Sequence, residues 1–158
     1  MGMSNYQELL QVIARQEQEL QFDEFTNETA LTIGLKLIER AKRENKPVAI
    51  DITRNGQQLF HYALAGTAPD NDQWIVRKNK LVNRMHHSSF YIGTKLRSEA
   101  KTLEEKYEIS SLEYAAHGGA FPIIIRNVGV VGTITVSGLP QEEDHAMVVT
   151  VLQEYLHQ

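Results

Sequence analysis

The sequence contains no cysteine among its 158 residues. Disulfides, zinc-thiolate sites, iron-sulfur clusters and a thiol nucleophile are therefore excluded. A chain of this length corresponds to about one domain, and its 42% hydrophobic residues can build a core without disulfides or structural metals. We therefore expect one domain spanning residues 1–158, in a reducing compartment that is by default the cytoplasm.

Long apolar runs are also missing. No stretch approaches the roughly 18 apolar residues that cross a bilayer, and the N-terminus "MGMSNYQELLQV" lacks a basic region followed by an apolar block. We therefore expect neither a membrane span nor a secretion signal.

The common catalytic and metal motifs are absent as well. The sequence has no P-loop, no G-x-G-x-x-G, no H-E-x-x-H and no G-x-S-x-G. The adjacent His86 and His87 would diverge by about 100° on a helix, so they cannot readily chelate one ion. We therefore assign no catalytic residue and no metal site, and the pattern favours a protein that is not an enzyme.

Helical periodicity and helix-end signals are present in four segments. They predict a first helix from Tyr6 to about Glu19, a second capped by Thr26 or Asn27 and stopped before Pro47, a long third helix from Asn71 or Asp72 to about Arg97, and a last helix opening at Pro140. A short helix and then a brief strand are predicted in "LEEKYEISSLEYAA".

Two hairpins complete the predicted architecture. Asn55-Gly56 supplies the positive φ angles of a tight turn between two alternating apolar runs, and "RNVG" separates 121–125 from 130–136. Tight turns join antiparallel strands, whereas parallel neighbours need crossovers of a dozen or more residues. The fold class is therefore α+β, with an antiparallel sheet of two hairpins flanked by helices.

Charge is unevenly distributed along the chain. Residues 74–101 carry seven basic side chains and one acidic one, whereas the net charge of the whole chain is -4. This segment is either neutralised internally or by subunit packing, or it forms an anion-binding surface. Nucleic acid is disfavoured as a partner, because the acidic remainder would repel phosphates.

Candidate ligand-binding residues lie on the predicted long helix. Arg77 and Lys78 near its start can hold a carboxylate or phosphate, with help from the helix dipole. Ser88 and Ser89 straddle its apolar stripe and leave room on the same side. The alternative is close packing of the helix through two small residues.

A second candidate is the segment His117-Gly118-Gly119. Paired glycines expose backbone N–H groups and permit positive φ, so an anion can rest against the main chain beside the imidazole. His117 is also the histidine that could ligate a porphyrin. The alternative is a loop that needs glycine only to enter the next strand.

The stretch "HGGAFPIIIRNVGVVGTITVSGLPQEED" resembles the C-terminal signature of the haem-degrading-domain family, the HbpS-like and GlcG-like proteins. The segment "WIVRKNKLVNRMHHSSFYIGTKL" is similar to the hallmark of an uncharacterised branch of that family. The resemblance covers most of residues 30–158. It implies a profilin-like sheet, ring-like homo-oligomers in several members, and links to haem, cobalamin-related processes or glycolate operons, but no single activity.

Together these features predict an oligomeric module that binds a small anionic metabolite through Arg77, Lys78, Ser88, Ser89 and the glycine-flanked His117. The alternative is an enzyme of haem or small-metabolite turnover that uses the His117 loop. Haem remains a possible cofactor, but no histidine precedes His61, so we expect weak haem binding or none.

Overall fold

The computed structural model describes residues 3–157, with side chains from Asn5 onward. Over this range the chain forms six helices and four strands, namely α1 (Met3–Glu19), α2 (Asn27–Arg43), β1 (Ala49–Arg54), β2 (Gln57–Ala63), α3 (Pro69–Met85), α4 (Ser89–Glu99), α5 (Leu103–Tyr107), β3 (Ala120–Ile125), β4 (Gly129–Ser137) and α6 (Gln141–Leu156).

The strands form one antiparallel sheet in the order β2-β1-β4-β3. Each predicted hairpin is present, and β1 pairs with β4 to join the two hairpins at the centre of the sheet. At the first turn Asn55 has φ 51° and Gly56 has φ 80°, as the Asn-Gly pair predicts. The predicted α+β class with an antiparallel sheet of two hairpins is confirmed.

The two faces of the sheet differ in chemistry because side chains alternate along each strand. One face carries Ile50, Ile52 and Ile134, which are fully buried in the main core with α2 and α6. The opposite face is polar and lies under α3, where Asn79 donates to Asp51 Oδ2 at 3.0 Å. Helix α3 is therefore held to the sheet partly by hydrogen bonds.

The prediction of one long helix from Asn71 or Asp72 to Arg97 is wrong. Helix α3 ends at Met85 because His86 takes the left-handed conformation, with φ 59°. The Ser88 hydroxyl then accepts a hydrogen bond from the Tyr91 backbone and caps α4. The break places α4 against α1. The side chains of α4 therefore point in other directions than they would on one continuous helix.

The segment after α5 also differs from the prediction. No strand forms between residues 108 and 119, where the described chain instead makes a turn at residues 111–113. Its backbone is tied to α3 by a hydrogen bond from the Ala115 N–H to the Arg77 carbonyl at 3.1 Å. This tie places His117 beside α3.

Candidate functional site

A cleft of about 350 Å³ opens between α3, the His117 segment and the turn that joins β4 to α6. We call it the His117 cleft. Its described lining consists of Asn71, Trp74, Lys78, His117, Ser137, Gly138, Leu139, Gln141 and Asp144. The sequence brings these residues together because α3 crosses β4, whose end leads directly into α6.

Lys78 and Asp144 form an ion pair among the lining residues. The Lys78 Nζ lies 3.3 Å from Asp144 Oδ2 and donates to the Val136 carbonyl at 3.3 Å. Asp144 also accepts the backbone N–H groups of Gly138 and Leu139. Lys78 is only 3% exposed and Asp144 only 2%, so both charges are removed from water.

Burial moves the pKa values of this pair toward each other. It lowers the pKa of Lys78, despite the attraction of Asp144, and Arg77 lowers that pKa further. Burial also raises the pKa of Asp144 to about 6, against the opposing effects of Lys78 and the backbone N–H groups. Both shifts favour the neutral forms. The proton affinities of the two groups are therefore more similar than those of an exposed lysine and aspartate.

His117 forms another side of the cleft. The residue is exposed, but its ring meets the edge of Trp74 with 5.5 Å between ring centroids. The pKa of His117 is lowered, first by partial burial and then by the positive charges of Arg97, Lys78 and Arg77. The imidazole therefore lies near three basic side chains, those of Arg97, Lys78 and Arg77.

Two amide side chains give the cleft hydrogen-bond donors. Asn71 Oδ1 accepts the Ala68 N–H at 2.9 Å, and Gln141 Oε1 accepts the Gly118 N–H at 3.0 Å. Because both side-chain oxygens are engaged by the backbone, the NH₂ groups remain for a ligand. A cleft with these donors favours an anionic or carbonyl-bearing guest.

The glycine pair is required by close packing beside the cleft. A Cβ atom on Gly119, whose φ is 140°, would lie 2.6 Å from Lys78 Nζ and 2.4 Å from the Val136 carbonyl oxygen. A Cβ atom on Gly118 would lie 2.3 Å from the Gln141 carbonyl oxygen. The glycines therefore make room for Lys78 and for the start of α6, which explains the His-Gly-Gly sequence.

A neighbouring cleft of about 330 Å³ shares His117 and is more strongly cationic. Its lining includes Arg77, Arg97 and Lys101, with Glu104 on one side. Arg77 lies over the Trp74 ring at 4.1 Å and donates to the Ser111 carbonyl at 3.2 Å. We call this second opening the Arg97 cleft.

The predicted site residues have different positions in the structure. Lys78 and His117 line the His117 cleft, and Arg77 stacks on its Trp74 wall. Ser88 and Ser89 are fully buried and engaged within the protein: Ser88 caps α4, and the Ser89 hydroxyl accepts the Ala120 N–H at 3.1 Å. The break at His86 separates both serines from the residues of α3 that line the cleft.

Sequence reasoning did not select four of the residues that line the cleft, namely Asn71, Trp74, Gln141 and Asp144. Asp144, in the first turn of α6, was not among the predicted site residues. Its burial depends on the turn at Gly138, which folds the start of α6 back toward α3. The sequence alone does not indicate whether a carboxylate in the first turn of a helix is buried in this way.

Two general features of the described chain are relevant to ligands and membranes. Between residues 3 and 157, no group of three His, Cys, Asp or Glu side chains is placed to hold a metal ion. Over the same residues, no helix combines the length and apolar character that a bilayer span requires.

Curated proteins similar to this chain are UPF0303 proteins. One from Streptomyces coelicolor is 49% identical over 144 residues, covering 91% of each chain. Another from Serratia proteamaculans is 44% identical over 152 residues, covering 96% of this chain and 94% of the relative.

Solved structures are also similar to this chain. The crystal structure of the Ybr137w protein has a TM-score of 0.87 and 41% identity, covering 94% of this chain and 87% of that chain. HbpS has a TM-score of 0.66 at 20% identity, covering 86% of this chain and 92% of its own, and shares the fold. A PduOC:haem complex shares the fold at 15% identity, with a TM-score of 0.68 and coverage of 81% and 92%.

The family model described as haem degrading protein HbpS-like matches residues 25–153. This match spans both hairpins, the cleft and most of α6. The resemblance noted from the glycine pair and the "VSG" strand is thereby confirmed. The chain belongs to the HbpS-like haem-degrading protein family.

Proposed function

We propose that this protein is a small-ligand-binding module whose His117 cleft holds a small anionic metabolite. The observation that carries the proposal is the arrangement of donors: the Lys78 amino group, the His117 ring and the NH₂ groups of Asn71 and Gln141. Asp144 is the one carboxylate in the described lining, and its oxygens are already bonded to Lys78 and two backbone N–H groups.

The electrostatic surroundings support the same ligand class. The positive charges of Arg77, Arg97 and Lys78 all act on His117, and an anion placed there would relieve their mutual repulsion. Trp74 offers an apolar wall for the carbon part of the ligand. The volume of about 350 Å³ lies near the lower end of the roughly 300–1,000 Å³ of known ligand sites, which favours a small guest.

Haem is the second candidate, because the family description names haem and PduOC forms a haem complex. The His117 cleft fits haem poorly. A porphyrin needs a broad apolar slot beside its axial ligand, whereas this cleft carries the polar groups of Asn71, Lys78 and Gln141. We therefore expect weak haem binding or none.

A ligand panel followed by thermal shift tests the proposal, with acetate, lactate, phosphate and haem added at constant ionic strength. We expect a small carboxylate to raise the Tm of the wild-type protein. The Gln141→Glu variant keeps the acceptor for Gly118 but replaces an NH₂ donor with negative charge, so the shift should disappear. Asn27→Asp, at the start of α2, is the control for added charge at a helix start.

Two results would contradict the proposal. One is the absence of a Tm shift with any small anion, and the other is an equal shift in Gln141→Glu and the wild-type protein. A sharp Soret change that saturates at one haem per subunit and is lost in His117→Ala would favour haem instead.

A further inference from the structure

Lys78 is buried, although it lines a ligand-sized cleft. A site that binds anions only by charge does not require this burial. An exposed lysine would attract an anion without the desolvation that Lys78 undergoes at 3% exposure. Its Nζ is instead held by the Val136 carbonyl and Asp144 at the cleft. This placement restricts the amine to one position.

The absence of a side chain at Gly119 makes room for this amine itself. Gly119 lies so close that any side chain there would contact Lys78, since its Cβ would be 2.6 Å from Nζ. Asp144 Oδ2, at 3.3 Å, is within reach to exchange a proton with the nitrogen. A buried lysine beside a proton-exchanging carboxyl group has the arrangement of an amine nucleophile.

We propose that Lys78 forms an imine with the carbonyl carbon of a small 2-oxo acid bound in the His117 cleft. The inference rests on the proposed function, because the anion site would bind the carboxylate of that ligand. The donors of Asn71, Gln141 and His117 would hold the carboxylate, which would direct the adjacent carbonyl carbon toward Nζ.

The reaction is balanced without an oxidant or reductant. The neutral Lys78 amine adds to the carbonyl carbon as the carbonyl oxygen takes the proton of the Asp144 carboxyl group. The nitrogen then returns one proton to Asp144, which gives a neutral carbinolamine. Asp144 protonates the hydroxyl group, the C–O bond breaks, water leaves, and the nitrogen lone pair forms the C=N bond of a protonated imine beside the Asp144 carboxylate.

The pKa shifts agree with this assignment. Burial lowers the pKa of Lys78 and so increases its neutral fraction, and it raises the pKa of Asp144 to about 6, where the carboxyl group can both give and take a proton near neutral pH. Lys80, two residues later on α3, is exposed and pairs with Glu113. It is therefore a matched internal control for ordinary amine reactivity.

Reductive trapping of the intact protein tests the inference. Wild-type protein is treated with pyruvate and cyanoborohydride, digested and mapped by mass spectrometry. Lys78 should be labelled faster than Lys80, because burial lowers the pKa of Lys78 and so raises its neutral fraction, and because the cleft would hold the ketone beside its amine. Lactate, which has the same carboxylate but no ketone, should slow the labelling of Lys78 and leave that of Lys80 unchanged.

The outcomes separate this inference from the proposed function. A lactate-induced Tm shift together with labelling of Lys78 no faster than that of Lys80 would overturn imine formation while leaving anion binding intact. If lactate gives no Tm shift and Lys78 is not labelled preferentially, both imine formation and anion binding are overturned. Lys78→Arg should lose the labelled peptide. Because the comparison of Lys78 with Lys80 uses wild-type protein, the test does not depend on this variant.

Discussion

At the residue scale, several ionisable side chains are buried for reasons that their neighbours explain. Besides Lys78 and Asp144 in the cleft, His145 is 4% exposed on α6 and packs against Phe90. Its Nε2 lies 2.7 Å from Gln16 Oε1, and its Nδ1 has no hydrogen-bond partner among the described residues. Burial lowers the pKa of His145 to about 4.

These groups have opposite effects on stability as the pH changes. The folded protein keeps the Asp144 proton up to about pH 6, so this carboxyl group's contribution is present at low pH and is lost as the pH rises from about 4 to 6. His145 acts in reverse. The unfolded chain takes up a proton below pH 6.5 that folded His145 resists, so its contribution is lost as the pH falls toward 4.

The His145→Gln variant tests this linkage. Glutamine can still bond to Gln16 but does not titrate. Between pH 6.5 and 4, the wild-type protein should lose about 3 kcal/mol of unfolding free energy relative to the variant, measured by urea denaturation at several pH values. His157→Gln, at the exposed end of α6, is the control for the same substitution at a surface position. Parallel pH curves for wild type and His145→Gln would contradict the buried neutral imidazole.

Part of the candidate site could be predicted from sequence. His117 was selected because it precedes two glycines, and Lys78 because it lies near a helix start. Asn71 and Gln141 could not be selected, because their role as donors depends on backbone N–H groups that bond to their side-chain oxygens and leave their NH₂ groups available. Such pairing between residues 23 positions apart, as for Gly118 and Gln141, depends on the tertiary fold.

At the scale of elements, the break between α3 and α4 is the main departure from the predicted fold. Periodic apolar residues continue through it, so the pattern alone predicts one helix. Glu17 of α1 accepts the Ser88 N–H at 3.0 Å and bonds to His87 at 2.7 Å. These contacts from a distant segment stabilise the break, whereas the hairpin turn at Asn55-Gly56 was predictable because its geometry is local.

The His86→Gly variant tests how the break is formed. His86 has φ 59° and ψ 28° at the end of α3, a conformation that costs a non-glycine residue roughly 1–2 kcal/mol. Glycine should raise the unfolding free energy by roughly 0.5–1 kcal/mol, after its extra freedom in the unfolded chain is subtracted. Ala100→Gly, with φ 52° at the end of α4, should behave alike. A loss of stability in both variants would contradict the strain.

At the scale of the whole molecule, the basic segment does not form one charged face. Lys78 is buried against Asp144, Lys80 pairs with Glu113, and Arg77 stacks on Trp74. Internal contacts therefore engage these three side chains, and the break at His86 separates them from the basic residues of α4.

Homo-oligomer formation stays a prediction, now with a candidate surface. Leu31 and Leu35 lie one turn apart on α2 and are 44% and 53% exposed. We expect native mass measurement to give a species larger than the 18.0 kDa monomer at micromolar concentration, and Leu35→Lys to weaken that assembly. Leu112→Lys, on the turn after α5, is the control for the same substitution at an exposed leucine. A monomer in the wild-type protein would contradict the prediction.

Calorimetric titration of lactate into Asn71→Asp and wild-type protein tests the central claim most directly. Aspartate retains the oxygen that accepts the Ala68 N–H and suits the first turn of α3, but it replaces the NH₂ donor with negative charge. The account predicts measurable binding to the wild type, at least about tenfold weaker binding to Asn71→Asp, and unchanged binding to Asn83→Asp, which adds the same charge on α3 outside the cleft. Equal affinity of Asn71→Asp and wild type for lactate would contradict it.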